Sequence, residues 1–323
     1  MVGEKRSPRL GLIINPRAFK VRTHYLQKRA FWVGCLPEEH IWIPNGINAL
    51  QKDLEKVCEL GADYLAILGG DGTIHMTLSK LIPLWSGSLP TIVPLQGGTI
   101  NALCGDLGVS TTAEVALAEM MEVLIGRGSP RVVTKHLIHI QDTLGNDRYG
   151  FTFANGVMYR GFSDYYRTKT PDAFDAVRAT MNVLGSAFLP ADSPRNLLKS
   201  IPMHVISRGE DLANGPVRVI AVSTLENLVL WFRPFPTELN GQPEFHCLVN
   251  RMGAYEIALN AWSLMRGRCR HPGHHVTKTD DLVIKTNEGY LIDGEMFHLS
   301  EPMEIRFKLG PAVNFVVSTQ HMP

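Results

Sequence analysis

The chain has 323 residues, 45% of them hydrophobic, with a formal net charge of +1. That apolar content is enough for one large or two ordinary domains and argues against a disordered chain. The near-neutral balance gives no general attraction to nucleic acid, and no apolar run approaches the roughly 18 residues of a membrane span. The opening segment, with Glu4, Lys5, Arg6 and Arg9, lacks the apolar core of a signal peptide. Cys35, Cys58, Cys104, Cys247 and Cys269 contain no C-x-x-C pair, and their odd number fits free thiols in a reducing cytoplasm.

The first third alternates strands and helices. Strands are predicted at Leu10 to Asn15, Ile41 to Ile43, Tyr64 to Leu68 and Thr91 to Leu95. Helices are predicted at Thr23 to Arg29, Ile47 to Leu60, from Thr73 onward, Thr99 to Leu107 and Ala113 to Leu124. This order implies a doubly wound parallel sheet, an α/β nucleotide-binding domain over residues 1–128.

After Gly126-Arg127-Gly128-Ser129-Pro130 the apolar runs become short and β-rich. They are Val132 to Ile140, Tyr149 to Val157, Met203 to Ile206, Val217 to Val222, Leu228 to Phe232, Phe245 to Val249 and Leu282 to Lys285. Two helices interrupt them, Pro171 to Phe188 and Tyr255 to Met265. Residues 129–310 are therefore expected to form an antiparallel β-sandwich. The run Asn314 to Val317, within 311–323, is expected to pack back on the first domain. The helical stripe Phe174, Val177, Met181, Leu184, Phe188 reads as core ahead of the alternative, a gate to an apolar pocket. Cys269, His271, His274 and His275 are close in sequence, but Pro272-Gly273 and flanking arginines favour a solvated loop over a metal site.

The chemistry concentrates where predicted strands end in glycine. Gly69-Gly70-Asp71-Gly72-Thr73 and Gly97-Gly98-Thr99-Ile100-Asn101 each lie between a strand and a helix. Such junctions present backbone N–H groups and the positive end of a helix dipole, which suit phosphate. Thr99 can cap its helix or offer a hydroxyl, and Asn101 can donate from its amide. Asp71 is out of place beside an anion unless a cation or a proton transfer needs it; capping of the following helix is the plainer alternative. In a doubly wound sheet both loops, and Asn15-Pro16 after the first strand, should converge at the carboxyl ends of the strands. Neither a Walker-type lysine loop nor a dinucleotide fingerprint is present.

Gly69-Gly70-Asp71-Gly72-Thr73 resembles the G-G-D-G-T signature shared by lipid kinases, NAD kinases and, more distantly, phosphofructokinases. Gly98-Thr99-Ile100-Asn101-Ala102 resembles the G-T-x-N-D element of the diacylglycerol kinase catalytic domain, and its Asn-Ala ending the sphingosine kinase form. Ile14-Asn15-Pro16, Gly161-Phe162-Ser163-Asp164 and Asp293-Gly294-Glu295 resemble further elements of that family, in the same order. Two positions depart from the pattern. Pro16 is followed by Arg17-Ala18-Phe19-Lys20 instead of a small residue and glycine, so Arg17, Lys20 and Arg22 become alternative phosphate contacts. Ala102 replaces an aspartate.

The resemblance implies an ATP-dependent lipid kinase that transfers the γ-phosphate to a hydroxyl of a lipid such as diacylglycerol or a sphingoid base. Mg²⁺ would accompany ATP, with no metal ligands assigned. Asn15, Gly69, Gly70, Gly72, Thr73, Gly97, Gly98, Thr99, Asn101 and Asp293 are the expected nucleotide-site residues. Asp71, Asp164 and Glu295 are the catalytic candidates. Asp164 read as a helix-start residue and Glu295 as a turn residue remain open. The expected partners are ATP and a lipid at a membrane surface, with no nucleic acid; a homodimer is allowed. The expected location is the cytoplasm; a peripheral place at the inner membrane surface is allowed. The alternatives are an NAD kinase-type phosphotransferase and a catalytically silent nucleotide-binding regulator.

Overall fold

The computed structural model describes residues 7–25, 28–98, 101–166, 173–190, 193, 195–228, 232–236, 239 and 242–321. In chain order the first elements are β1 (Leu10–Ile14), α1 (Arg29–Cys35), β2 (Ile41–Trp42), α2 (Ile47–Leu60), β3 (Tyr64–Gly69), α3 (Asp71–Leu81), β4 (Thr91–Gln96), α4 (Ala102–Leu107) and α5 (Ala113–Leu124). Next come β5 (Gly128–Asp142), β6 (Asp147–Gly150), β7 (Thr152–Gly156), α6 (Val157–Tyr165), α7 (Ala173–Gly185), β8 (Ile201–Ser207), β9 (Glu210–Val217), β10 (Val219–Ser223) and β11 (Phe245–Asn250). The last are α8 (Ala254–Leu259), α9 (Ala261–Met265), β12 (His274–Thr279), β13 (Asp281–Thr286), β14 (Tyr290–Ile292), β15 (Glu295–Phe297) and β16 (Met303–His321).

The chain divides into two compact units, residues 1–135 with 312–323, and residues 136–311. In the first unit the strands run β2-β1-β3-β4-β16, and every pair is parallel. Alternation along the strands sends Leu10, Leu12 and Ile14, with Ala66, Leu68, Val93 and Leu95, to one face. There they pack on Trp32 and Leu36 and on Ala113, Leu117 and Met120 of α5. Burying both faces requires nearly continuous apolar strands, and β1 and β3 are apolar throughout for that reason. The C-terminal part of β16 joins this sheet with Phe315 opposite Ile92, and Phe315 is fully buried. This is the return strand expected from Asn314 to Val317.

The second unit is a sandwich of antiparallel sheets. One has the order β12-β11-β10-β7-β14-β15, and the facing one contains β13, β8 and β9 with the N-terminal part of β16. Phe153, Ile220, Val222, Phe245, Cys247 and Tyr290 meet Ile138, Val205, Leu282, Ile284, Ile305 and Phe307 in its core.

Several expected elements differ. The helix placed at Thr23 to Arg29 is a π-helical turn at Val21–Tyr25 followed by α1. The helix expected from Tyr255 to Met265 is broken at Asn260, whose Nδ2 donates to Glu256 O at 2.9 Å and competes with the helical ladder. The strand expected from Tyr149 to Val157 ends at Gly156, where φ is +71° and a Cβ would lie 2.1 Å from the Arg218 carbonyl oxygen. Only glycine passes there, and the chain turns into α6. Leu228 and Phe232 lie outside any strand, and 229–231 are not among the described residues. The expected core stripe of α7 is not a core stripe at its end: Met181 and Phe188 are exposed, while Val183 and Ala187 face the apolar cluster. From His274 onward the expected histidine loop is β12, and Cys269 packs on that same cluster.

Candidate functional site

In the first unit β1, β3 and β4 are neighbours, so their carboxyl ends deliver three loops to one place. Backbone bonds stitch these loops together. Asn15 N donates to Leu68 O at 3.0 Å, Gly97 N to Gly69 O at 2.7 Å and Lys20 N to Gly97 O at 3.0 Å. The Asn15 side chain adds a tie from Nδ2 to Thr73 Oγ1 at 2.8 Å, and its Oδ1 accepts from Arg17 N at 2.9 Å.

The glycines have a packing role that the sequence did not disclose. A Cβ on Gly98 would lie 2.5 Å from Gly70 Cα, and one on Gly97 2.9 Å from Gly69 N. A Cβ on Gly69 would lie 2.4 Å from Thr73 Oγ1. The two loops therefore meet backbone against backbone. No side chain fits between them, so a ligand reaching the loops finds peptide groups. Gly72 lies half-buried in the first turn of α3.

Asp71 opens α3, yet its carboxylate caps another helix. Oδ2 accepts from Ala102 N at 2.8 Å and Oδ1 from Leu103 N at 3.0 Å, the first amides of α4. A carboxylate on the amides of a helix N-terminus is a charge-assisted, dipole-favoured contact. Asp71 thus locks the second glycine loop to the first. The plainer capping reading was right in kind and wrong in partner. The residue is half-buried, so one side still meets solvent.

Asn101 has a left-handed backbone, φ 51° and ψ 53°, and its amide closes on Gly98: Oδ1 accepts from Gly98 N at 3.1 Å and Nδ2 donates to Gly98 O at 3.0 Å. The donor expected to meet phosphate is engaged in shaping the loop. Thr99 lies outside the described residues. Lys20 is half-buried beside Gly97, while Arg17 is exposed and donates from Nη2 to Asn45 Oδ1 at 3.0 Å. Burial, assisted by the Asp71 charge, pushes the Cys104 thiol up to about 12 and makes it an inert packing group.

The remaining candidates belong to the second unit. Asp293 and Gly294 form a two-residue turn between β14 and β15 with φ of 48° and 83°, the positive angles that a tight hairpin requires. The Asp293 carboxylate is buried. It accepts from Phe151 N at 3.0 Å, Thr152 N at 2.8 Å and Thr152 Oγ1 at 2.9 Å, tying the hairpin to β7. Burial pushes its carboxyl up to about 6 against the pull of those donors. Asp293 is thus placed as a clamp within the sandwich. Glu295 begins β15 and is exposed, with no side-chain hydrogen bond among the described residues. Asp164 sits in the last turn of α6, not at a helix start, and its Oδ2 accepts from Asn182 Nδ2 at 2.8 Å. The structure brings Asn15, Gly69, Gly70, Asp71, Thr73, Gly97, Gly98 and Asn101 together in the first unit. Asp164, Asp293 and Glu295 are placed in the second.

One further clamp escaped the sequence. Arg160 of α6 is buried and grips Glu288 through Nε at 2.6 Å and Nη2 at 2.8 Å, while Nη1 donates to the carbonyls of Leu197 and Lys199. Only the rarity of a buried arginine could have flagged it, and burial is not visible in a sequence. Among the described residues no group of three or more His, Cys, Asp or Glu is arranged to hold a metal ion.

Comparison with known proteins adds the following. Residues 9–128 match the family model of the diacylglycerol kinase catalytic domain. A candidate diacylglycerol kinase from Bacillus anthracis shares 15% identity and a TM-score of 0.66, with 96% of this chain and 97% of that one covered. A diacylglycerol kinase structure from the same organism gives 14% identity and a TM-score of 0.61, with the same coverage. Yeast NADH kinase complexed with NADH gives 13% identity and a TM-score of 0.50, covering 97% of this chain and 84% of that one. At these identities the likeness is one of fold. No curated protein matches the chain in sequence.

Proposed function

We propose that this chain, whose residues 9–128 match the family model of the diacylglycerol kinase catalytic domain, is a kinase-type phosphotransferase that transfers the γ-phosphate of ATP to the hydroxyl of a lipid. The observation that carries this reading is the interlock of the two glycine loops inside the matched domain, with Gly97 N on Gly69 O at 2.7 Å. The interlock sets the first turn of α3 beside the second glycine loop, and the N-terminus of that helix suits polyphosphate. The proposal assigns residues 1–128 to nucleotide binding, with the return strand in 311–323, and residues 129–310 to the lipid acceptor.

Phosphoryl transfer asks a protein for positioning and charge neutralisation more than for covalent chemistry. Asn15, Gly69, Gly70, Gly72, Thr73, Gly97, Gly98, Thr99 and Asn101 would position the phosphates, and Lys20 would add positive charge beside Gly97. Mg²⁺ commonly takes one or two protein carboxylates and fills its shell with phosphate oxygens and water. Asp71 offers such a carboxylate, so this donor set fits an ion that arrives with the nucleotide. When bound, that ion would offset the charge of the phosphates. Asp71 would then hold α4 and face the ion together. Among the carboxylates of the second unit, Glu295 suits proton acceptance from the acceptor hydroxyl better than Asp164, which is bonded to Asn182, or Asp293, whose oxygens hold β7. The site of action would be the inner membrane surface.

The test is transfer of labelled phosphate from ATP with Mg²⁺ to a panel of lipid alcohols, including diacylglycerol and a sphingoid base, with NAD as a parallel acceptor. Labelled lipid supports the proposal. Labelled NAD without labelled lipid, or no transfer at all, overturns it.

A further inference from the structure

The α8–α9 elbow of the second unit turns an apolar stripe outward. Tyr255, Leu259 and Trp262 follow one another at four- and three-residue spacing and are 55%, 69% and 69% exposed. Phe188, 75% exposed, sets its ring 6.0 Å from that of Tyr255 and extends the stripe. The opposite side of the elbow is already satisfied: Ile257, with Ala254 and Leu264, packs on Val157, Leu198 and Met252. The stripe is therefore a second apolar face on helices that have already buried one.

Five exposed arginines lie on the elbow or in the segments next to it. Backbone bonds tie two of them to α9, Arg233 N donating to Met265 O at 2.9 Å and Arg268 N to Ser263 O at 2.8 Å, while Arg251 precedes α8 and donates from its N to Gly273 O at 2.7 Å. Arg266 lies over the Trp262 ring with 4.8 Å from its guanidinium carbon to the centroid, and Arg270 follows. None of the five has an ion-pair partner among the described residues. The carboxylate within the elbow, Glu256, is bonded to Gly253 N and lies 3.5 Å from His271 Nε2.

We propose that the α8–α9 elbow, with Phe188, is the surface by which this protein docks on a bilayer containing anionic phospholipid. Leucine and phenylalanine tips gain by entering the acyl boundary, a tryptophan ring suits the headgroup level, and arginines spread around them meet phosphate headgroups. A nucleic acid would satisfy the arginines and leave Leu259 and Phe188 in water. The inference rests on the reading that the acceptor is presented in a membrane, and it names the face that meets it.

The experiment uses the full chain, without nucleotide or acceptor, and vesicles of phosphatidylcholine alone or mixed with phosphatidylglycerol. Binding is expected to the mixed vesicles and to weaken with salt. The triple variant R266Q/R268Q/R270Q should lower the partition coefficient about fivefold per charge removed, hence about a hundredfold. L259S/W262S should abolish binding while its circular dichroism stays that of the parent, since both side chains are exposed. The milder W262F should keep binding and lose the part of the quenching by bromine-labelled lipid that Trp262 supplies. Parent-like partition of both multiple variants overturns the proposal. So does a dimer in sedimentation that L259S/W262S returns to monomer without any vesicle binding. Transfer to an acceptor dispersed in neutral detergent micelles separates the two ideas. Vesicle binding without transfer to any lipid removes the kinase reading alone; transfer with unaltered vesicle binding in the variants removes this surface alone.

Discussion

Asp71 and Asp293 do the same job in different settings. Each places a carboxylate across two consecutive backbone amides of a distant element, Ala102 and Leu103 for the first, Phe151 and Thr152 for the second. Asp71 sits half-buried among loops that close backbone on backbone. Asp293 is sealed inside a sandwich whose core is made of side chains. The contrast separates two ways of making a rigid turn. One leaves an edge of the carboxylate toward solvent and can serve chemistry as well as folding. The other spends the carboxylate on architecture. A motif that contains an aspartate therefore does not by itself say which kind it is; burial does.

The sharpest way to break the comparison is at the glycines. Gly98→Val puts branched carbons where Gly70 Cα already stands at 2.5 Å from a Cβ, and backbone cannot give way as a flexible side chain can. We expect a loss of about 3 kcal/mol or more in the first unit, beyond common overpacking, read by denaturant unfolding, with nucleotide affinity falling as a consequence. Gly105→Ala, with nothing within 4 Å of its Cβ, is the control and should leave stability unchanged or raised. Equal behaviour of the two variants would show that the loops do not interlock.

Asp71→Asn comes next. Its single acceptor oxygen can satisfy one of the two α4 amides, and the charge is gone. A fall in kcat of about a hundredfold is expected, in line with loss of one positioned group at a transition state, together with a modest loss of stability. Asp293→Asn should do the reverse. Leaving donors of β7 unsatisfied should cost about 1–3 kcal/mol, while turnover per folded molecule stays close to that of the parent. Steady-state kinetics on both variants, corrected for folded fraction, checks the pair. A turnover loss in Asp293→Asn matching that of Asp71→Asn would show that burial does not sort them.

An effect absent at neutral pH, and seen only on the acid side, concerns a buried base in the second unit. His246 is fully buried against Phe235, with rings 4.4 Å apart, and neither ring nitrogen has a hydrogen-bond partner among the described residues. Burial, with Lys278 adding to it, pushes its pKa from 6.5 down to about 4. The unfolded chain takes up a proton across that window and the folded one does not. Its contribution is therefore intact above about pH 6.5 and is lost as pH falls toward 4. His246→Phe keeps the stacking and should flatten this acid limb, which unfolding midpoints between pH 4 and 7 would reveal; an unchanged limb would assign acid sensitivity elsewhere.

Much of the first unit was legible because its signals are local. The bounds of α2 and α5 follow from helical spacing, and β1 and β3 from unbroken apolar runs. The glycine loops stand out by composition alone. What they touch did not, since Asp71 and Ala102 are 31 residues apart and nothing local announces the contact. In the second unit the misses are short or unusual strands. β9 reads Glu-Asp-Leu-Ala-Asn-Gly-Pro-Val, turn-like in composition, and it survives as the outer strand beside β8, where glycine and proline are tolerated. The stripe of α7 looked like core because spacing shows that a face exists, not what covers it. The arginines of the α8–α9 elbow looked like a solvated loop because Arg233 and Arg251 reach it only through the fold.

The strand that closes the first sheet also sets a timetable. Residues 9–128 contain the matched catalytic domain, but β4 has its outer neighbour only in the segment around Phe315. On the ribosome, the sheet must wait with an unpaired edge until nearly the whole second unit has been made. An exposed apolar edge strand is a template for wrong partners. Residues 9–128 expressed alone thus lack more than the second unit; they lack one strand of their own sheet, and supplying residues 312–321 in trans would be the direct way to complete it.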